Sequence, residues 1–175
     1  MQVRVGDKTY LLEGNLPFIG QTITKEFTLQ EALGKKPLSF KDLSKGLVIV
    51  STLPNIKKEH CIQQVNELET LARLLLPSST QIVHVSSDPP AAWKNAKTFL
   101  PDVELRAYTL FDTDPESVSM FREEFGVGVQ DSDRVAHGLF ALFHGQFMKL
   151  QVPDDQLGVP NIPLFLREIL DIKFT

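Results

Sequence analysis

The sequence predicts an α/β fold: a central mixed β-sheet flanked by helices, preceded by an N-terminal β-hairpin. Three observations predict it. Short apolar runs at 47–50, 81–86 and 107–111 alternate with segments whose apolar residues recur every three to four positions. Pro, Gly and Asp cluster at the joints between these segments. Two further strand-like runs, 138–143 and 146–152, flank His144-Gly145 and read as a late hairpin.

Taken in order, Val3 and Val5 alternate with polar neighbours, Gly6-Asp7-Lys8 makes a turn, and 9–12 returns. The stretch GNLPFIG at 14–20 reads as a loop, with Pro17 and two glycines as punctuation. A short extended piece follows at 26–29, and 38–46 reads as a loop or a single helical turn. The run LVIV at 47–50 is apolar on both faces, which predicts a central strand covered on both sides. From Cys61 to Leu75 the period changes: Ile62, Val65, Leu68, Leu71, Ala72 and Leu75 share one face, and Gln63, Gln64, Glu67 and Glu69 are read as lying elsewhere. Pro77-Ser78-Ser79 stops this helix. After the strand at 81–86, Asp88-Pro89-Pro90 opens a second helix running to about Phe99. After the strand at 107–111, Asp114-Pro115-Glu116 starts a third helix, which ends near Gly126. A closing amphipathic helix is predicted over 160–172. This β-α-β core, followed by a β-hairpin and a helix, is the thioredoxin-fold plan. No repeat or linker is visible, so 1–175 reads as one domain.

The totals bound the function. With 42% hydrophobic and 23% charged residues and a formal net charge of -4, the chain reads as an ordinary globular protein. That charge balance argues against a general nucleic-acid binder. No apolar run approaches the roughly 20 residues of a membrane-spanning helix. The start, MQVRVGDKTYLLEG, has no continuous apolar core and does not read as a signal peptide. The expectation is a cytoplasmic protein. One cysteine excludes an intrachain disulfide and a cysteine zinc cluster.

That cysteine is Cys61, which closes the stretch STLPNIKKEHC at 51–61. It follows a predicted central strand and sits in the first turn of a predicted helix. Two readings stand at this point. Unpaired amides and the helix dipole favour negative charge there, and Lys57, Lys58 and His60 are neighbours in sequence, so the thiol is expected to ionise readily and act as a nucleophile. Against this, a lone cysteine is often a small buried hydrophobe, and Glu59 opposes ionisation.

The spacing adds a resemblance. Pro54 stands seven residues before Cys61. This resembles the active-site loop of the peroxiredoxins, whose pattern is Pro, three residues, Thr, two residues, Cys. The subfamily most resembled is the bacterial thiol peroxidases, and the resemblance covers almost the whole chain. It rests on the N-terminal hairpin, GNLPFIG, FTL at 27–29, LPNI before the cysteine, SSDPPAA, FREEFGV and QVPDD. The resemblance implies a thioredoxin-like fold, a homodimer, no cofactor, and reduction of hydrogen peroxide or alkyl hydroperoxides at Cys61. Pro54 would then shield and shape the loop. The departures fall on the chemistry. The family threonine position is Lys58, the proline two residues before the cysteine is Glu59, and the family arginine aligns with His137. Arg134 lies three residues earlier as a substitute. The second, resolving cysteine of the thiol peroxidases would fall near Ala96 or Lys97, so recycling needs an external thiol. The alternative is a scaffold that has lost peroxidase chemistry and serves as a partner-binding module or thiol redox sensor.

Other candidates carry less. His60, His84, His137 and His144 match no compact zinc spacing, and core or surface roles are expected for them. Asp112, Asp114 and Glu116 read as helix capping and a solvated first turn. Trp93 reads as core or a dimer surface, and Gly126-Val127-Gly128 lacks the rest of a dinucleotide fingerprint.

Overall fold

The apolar run at 47–50 becomes an interior strand of the sheet, paired on both edges. A computed structural model describes residues 1–34, 36–100 and 102–172. Its strands are β1 (Gln2–Val5), β2 (Lys8–Leu11), β3 (Thr28–Glu31), β4 (Leu38–Ser39), β5 (Leu47–Leu53), β6 (Gln81–Ser86), β7 (Ala107–Thr109), β8 (Gly138–Phe143) and β9 (Gln146–Gln151). Its helices are α1 (Glu59–Leu75), α2 (Pro90–Ala96), α3 (Pro115–Phe125) and α4 (Ile162–Leu170). Short 3-10 turns follow β4 (Phe40–Ser44) and α2 (Lys97–Phe99).

Among the described residues β1 and β2 form a separate antiparallel pair, and the main sheet runs β4-β3-β7-β6-β5-β8-β9. β5 and β6 are parallel, as are β6 and β7, while β8 runs antiparallel to both β5 and β9. β5 therefore has a paired neighbour on each edge and helices on each face, which is why LVIV carries no polar face. This is the predicted mixed sheet, with the predicted N-terminal hairpin.

The two faces can be read from residue parity. Val48, Val50, Val83 and Val85 pack with Phe121 and Phe125 of α3. Ile49, Ile82, Leu139 and Ala141 pack with Leu68 and Ala72 of α1 and with Phe165 and Leu166 of α4. Leu53 and Ala107 meet Cys61 and Val65 of α1 and Trp93 of α2. The first face centres on Phe125, whose ring lies 4.6 Å from Phe121, 5.0 Å from Phe140 and 5.4 Å from Phe147. Such pairs contribute roughly 0.5–1.5 kcal/mol each beyond their burial.

Local signals set the helix ends. The Asp114 side chain accepts from the Ser117 N–H at 2.9 Å, Pro115 takes the first helical position, and Gly126 ends α3 in the left-handed region at φ 67. At α4, Asn161 caps by accepting from the Leu164 N–H, so the helix starts later than the proline at 160 suggests. α1 begins before Cys61, because Lys58 already has the extended backbone of an N-cap. β7 is shorter than predicted: the Phe111 N–H turns to the Thr109 hydroxyl instead of continuing the ladder. The segment expected as a loop or single turn contributes the edge strand β4 before its 3-10 turn.

Candidate functional site

The loop between β5 and α1 is held by groups from two other parts of the chain. Pro54 ends the strand, and its carbonyl accepts from Nη1 of Arg134 at 3.1 Å. The same Nη1 lies 2.6 Å from Oδ1 of Asp88, and the other carboxylate oxygen of Asp88 accepts from the Ile56 N–H at 2.7 Å. Asp88 is fully buried just after β6, whereas Arg134 comes from the segment between α3 and β8. One buried carboxylate thus satisfies a loop amide and fixes the guanidinium that grips the preceding carbonyl. Inside the loop, the Asn55 side chain accepts from Lys57 N–H and its carbonyl accepts from Lys58 N–H.

This clamp places Cys61 in the first turn of α1, only 1% exposed. Its Sγ accepts the Asn55 N–H at 3.5 Å. Leu53, Ile56, Val65 and Trp93 belong to the apolar cluster around it. Burial pushes the thiol from 9.0 up to about 12; the Asn55 N–H pulls it back in part, Asp88 pushes it up and Arg134 pulls it down. The expectation of a readily ionised thiolate is therefore corrected. Lys57, Lys58 and His60 are exposed, where water screens their charge. The Cys61 N–H is already spent on the Lys58 carbonyl at 3.1 Å. Desolvation outweighs the helix start.

What faces the thiol is an imidazole. Nε2 of His137 lies 3.9 Å from Sγ, and Nδ1 of His137 lies 2.7 Å from Oε1 of Gln64. Gln64 Nε2 donates to Ser51 Oγ at 2.8 Å and to the Thr52 carbonyl at 3.2 Å. His137 is buried just before β8, and its backbone is held on both sides by Gln156, whose Oε1 accepts from the His137 N–H and whose Nε2 donates to the His137 carbonyl. Burial, with a smaller electrostatic push from His60, lowers the imidazole from 6.5 to about 4. At neutral pH the pair is thus a thiol beside a neutral imidazole.

A cleft of ≈ 850 Å³ opens over this pair. Pro54, Lys58, Cys61, Arg134 and His137 all line it, so the five residues singled out from sequence share one site. The rest of its exposed lining is largely apolar and includes Val5 and Tyr10 from the N-terminal hairpin and Leu157. Lys58 is exposed at the helix start, and Arg134 is committed to Asp88 and the Pro54 carbonyl. Ala96 lies in the apolar cluster that contains Cys61 and offers it no partner sulfur.

Comparison with solved structures gives the fold. A thiol peroxidase from Chromobacterium violaceum superposes with a TM-score of 0.76 at 13% identity, covering 98% of this chain and 96% of that one. A peroxiredoxin-like protein from Aquifex aeolicus gives 0.72 at 16% identity, with 97% and 96% covered. Mycobacterium tuberculosis AhpC gives 0.68 at 15% identity, with 89% and 92% covered. The fold is peroxiredoxin-like. No family model matches the sequence, and no curated protein matches it.

Within this peroxiredoxin-like fold, several residues of the site escaped the sequence reading. The helical period of α1 puts Gln64 and Glu69 away from its apolar face, yet they are 0% and 1% exposed. Gln64 stands one turn after Cys61, and that spacing puts it on the same face; this was the available signal. Glu69 is buried because it accepts from Arg73 and lies 2.9 Å from His84 Nε2, which gives His84 its core role. Asp88 reads from sequence only as a helix opener. Trp93 is fully buried, its Nε1–H donating to Ser86 Oγ. His144 occupies the turn between β8 and β9 at φ 49. Among the described residues no group of His, Cys, Asp and Glu is arranged to hold a metal ion, and no helix is long and apolar enough to cross a membrane.

Proposed function

We propose that this protein is a one-cysteine thiol peroxidase that reduces hydrogen peroxide or an alkyl hydroperoxide in the cleft and is recycled by an external thiol. One observation carries the reading: the one thiol of the chain and a neutral imidazole stand 3.9 Å apart under an open cleft of a peroxiredoxin-like fold. The Cys61 sulfur attacks one peroxide oxygen, forming an S–O bond as the O–O bond breaks. The thiol proton passes to His137 Nε2 and on to the leaving oxygen, which departs as water or an alcohol. Cysteine is oxidised to the sulfenic acid and the peroxide is reduced. Two external thiols then return Cys–SOH to the thiol, releasing water and their disulfide.

His137 here does by proton transfer what a preformed thiolate would do by ionisation. Such general-base assistance contributes roughly 10²–10⁴-fold. Pro54 shapes the loop, Arg134 holds it through Asp88, and Lys58 supplies positive charge at the cleft edge. We place the protein in the cytoplasm, where a lone thiol stays reduced, and carry over a homodimer from the resemblance. The test is hydroperoxide consumption with dithiothreitol by the wild type and by Cys61→Ser. Turnover lost in the variant supports the reading, and equal rates overturn it.

The burial that raises the Cys61 thiol to about 12 favours a second reading, a thiol redox sensor or partner-binding module without turnover. In that case one equivalent of hydroperoxide is consumed, without recycling by added thiol.

A further inference from the structure

A polar chain crosses the core behind Cys61, from Ser51 through Gln64 to His137, and each member is nearly or fully buried. Replacing a fully bonded polar pair by apolar side chains is often neutral for stability, so such a chain asks for another reason. Its geometry supplies one. The Thr52 carbonyl can only accept, and it lies 3.2 Å from one end of the Gln64 amide. That end must be the –NH₂ group, so the other end, facing His137 Nδ1 at 2.7 Å, is the carbonyl oxygen. An amide oxygen can only accept, so Nδ1 must carry the hydrogen. The imidazole has one proton to place between its nitrogens, which leaves Nε2 bare toward the sulfur.

We infer that Gln64 is a positioning residue that holds His137 as its Nδ1–H tautomer, so that the Nε2 lone pair faces the Cys61 thiol. In the opposite tautomer Nε2–H would point at an S–H, and the thiol proton would have no acceptor. When Nε2 takes the proton, the Nδ1–H bond to Gln64 strengthens, because the ring is now a cation and its acceptor is already in place. The consequence for turnover rests on the peroxidase reading; the tautomer itself does not. Ser51 and Thr52 act one step further back, by fixing which way the Gln64 amide faces.

The experiment is ¹⁵N NMR of the imidazole nitrogens in the reduced full-length protein at neutral pH, with hydroperoxide turnover measured alongside. The wild type is expected to show Nδ1 protonated and Nε2 bare. Gln64→Leu removes the acceptor, and His137 then loses its preference for Nδ1–H. Gln64→Glu retains an acceptor, and the Nδ1–H signature returns. Turnover falls about 10- to 100-fold in Gln64→Leu, by analogy with the loss of a group that orients a metal-ligating imidazole, and recovers at least partly in Gln64→Glu. A wild-type spectrum with Nε2 protonated overturns the inference, as does Gln64→Leu keeping Nδ1–H. Should Gln64→Leu fail to fold, the wild-type spectrum and Gln64→Glu decide. Should the wild type consume no hydroperoxide, the peroxidase reading falls, and the spectrum still decides the tautomer.

Discussion

Alkylation of Cys61 is the sharpest consequence of its surroundings. Burial takes the thiol from 9.0 to about 12, a difference of three pH units. At pH values below both, that leaves about 1000-fold less thiolate than in an ordinary free thiol. A more basic sulfur is intrinsically more nucleophilic, and a Brønsted coefficient of about 0.4–0.5 returns about 16- to 32-fold. The net expectation is iodoacetamide alkylation roughly 30- to 60-fold slower than a small-peptide thiol, before any steric hindrance is added. The assay follows adduct formation by intact mass from about pH 6 to about pH 10, with the peptide as internal control. The rate should climb about tenfold per pH unit, with no plateau in that range. A plateau below about pH 8, or a rate equal to the control, would mean that the thiolate is stabilised and that burial does not dominate. The same shift has a stability signature. A pKa raised in the folded state leaves its contribution intact below 9.0 and loses it as pH rises toward 12, at about 1.4 kcal/mol per pH unit. Cys61→Ser should lack that slope in alkaline denaturation curves.

Three further outcomes follow from other parts of the site and scaffold. His137 is neutral in the fold down to about 4 but protonates near 6.5 when unfolded; its contribution is full above 6.5 and drains as pH falls toward 4, by about 1.4 kcal/mol per pH unit, and urea titrations should show this slope flattened in His137→Phe. Arg134→Ala leaves the buried Asp88 carboxylate with its loop amide but no cation; we expect a loss of about 2–3 kcal/mol, less than for a wholly buried pair because the guanidinium is partly exposed, whereas unchanged stability would show that the clamp is idle. Gly126→Ala would force a left-handed backbone on a residue whose Cβ overlaps the Asn15 carbonyl; a fall of more than about 1 kcal/mol in thermal or chemical denaturation is expected, and a neutral result contradicts the packing described.

The legible parts of this chain were those where one residue type answers one local demand. The period of Val65, Leu68 and Ala72 fixed α1, Asp114 and Gly126 bounded α3, and the two-sided apolar run at 47–50 marked the strand buried on both faces. The spacing of Pro54 and Cys61 pointed to the loop that opens on the cleft. What stayed hidden were side chains whose role depends on a partner far along the chain. Gln64 looks like one more polar residue on a surface helix until Ser51 of β5 and His137, just before β8, are brought to it. Asp88 looks like a cap until Arg134 arrives from a segment 46 residues away. The two sequence readings of Cys61 part for the same reason: its neighbours in sequence suggest cations, while its neighbours in space are largely apolar.

The central claim is that Cys61, with His137 beside it, breaks a peroxide O–O bond. The most direct measurement is a single turnover: reduced protein is mixed with one equivalent of hydroperoxide, sulfenic acid is trapped with dimedone, and the adduct is located by mass spectrometry while the alcohol formed is quantified. The account predicts one adduct, on Cys61, matched by an equal amount of alcohol and much slower in His137→Phe. Unconsumed hydroperoxide beside an unmodified Cys61, or a rate indifferent to His137, would contradict it.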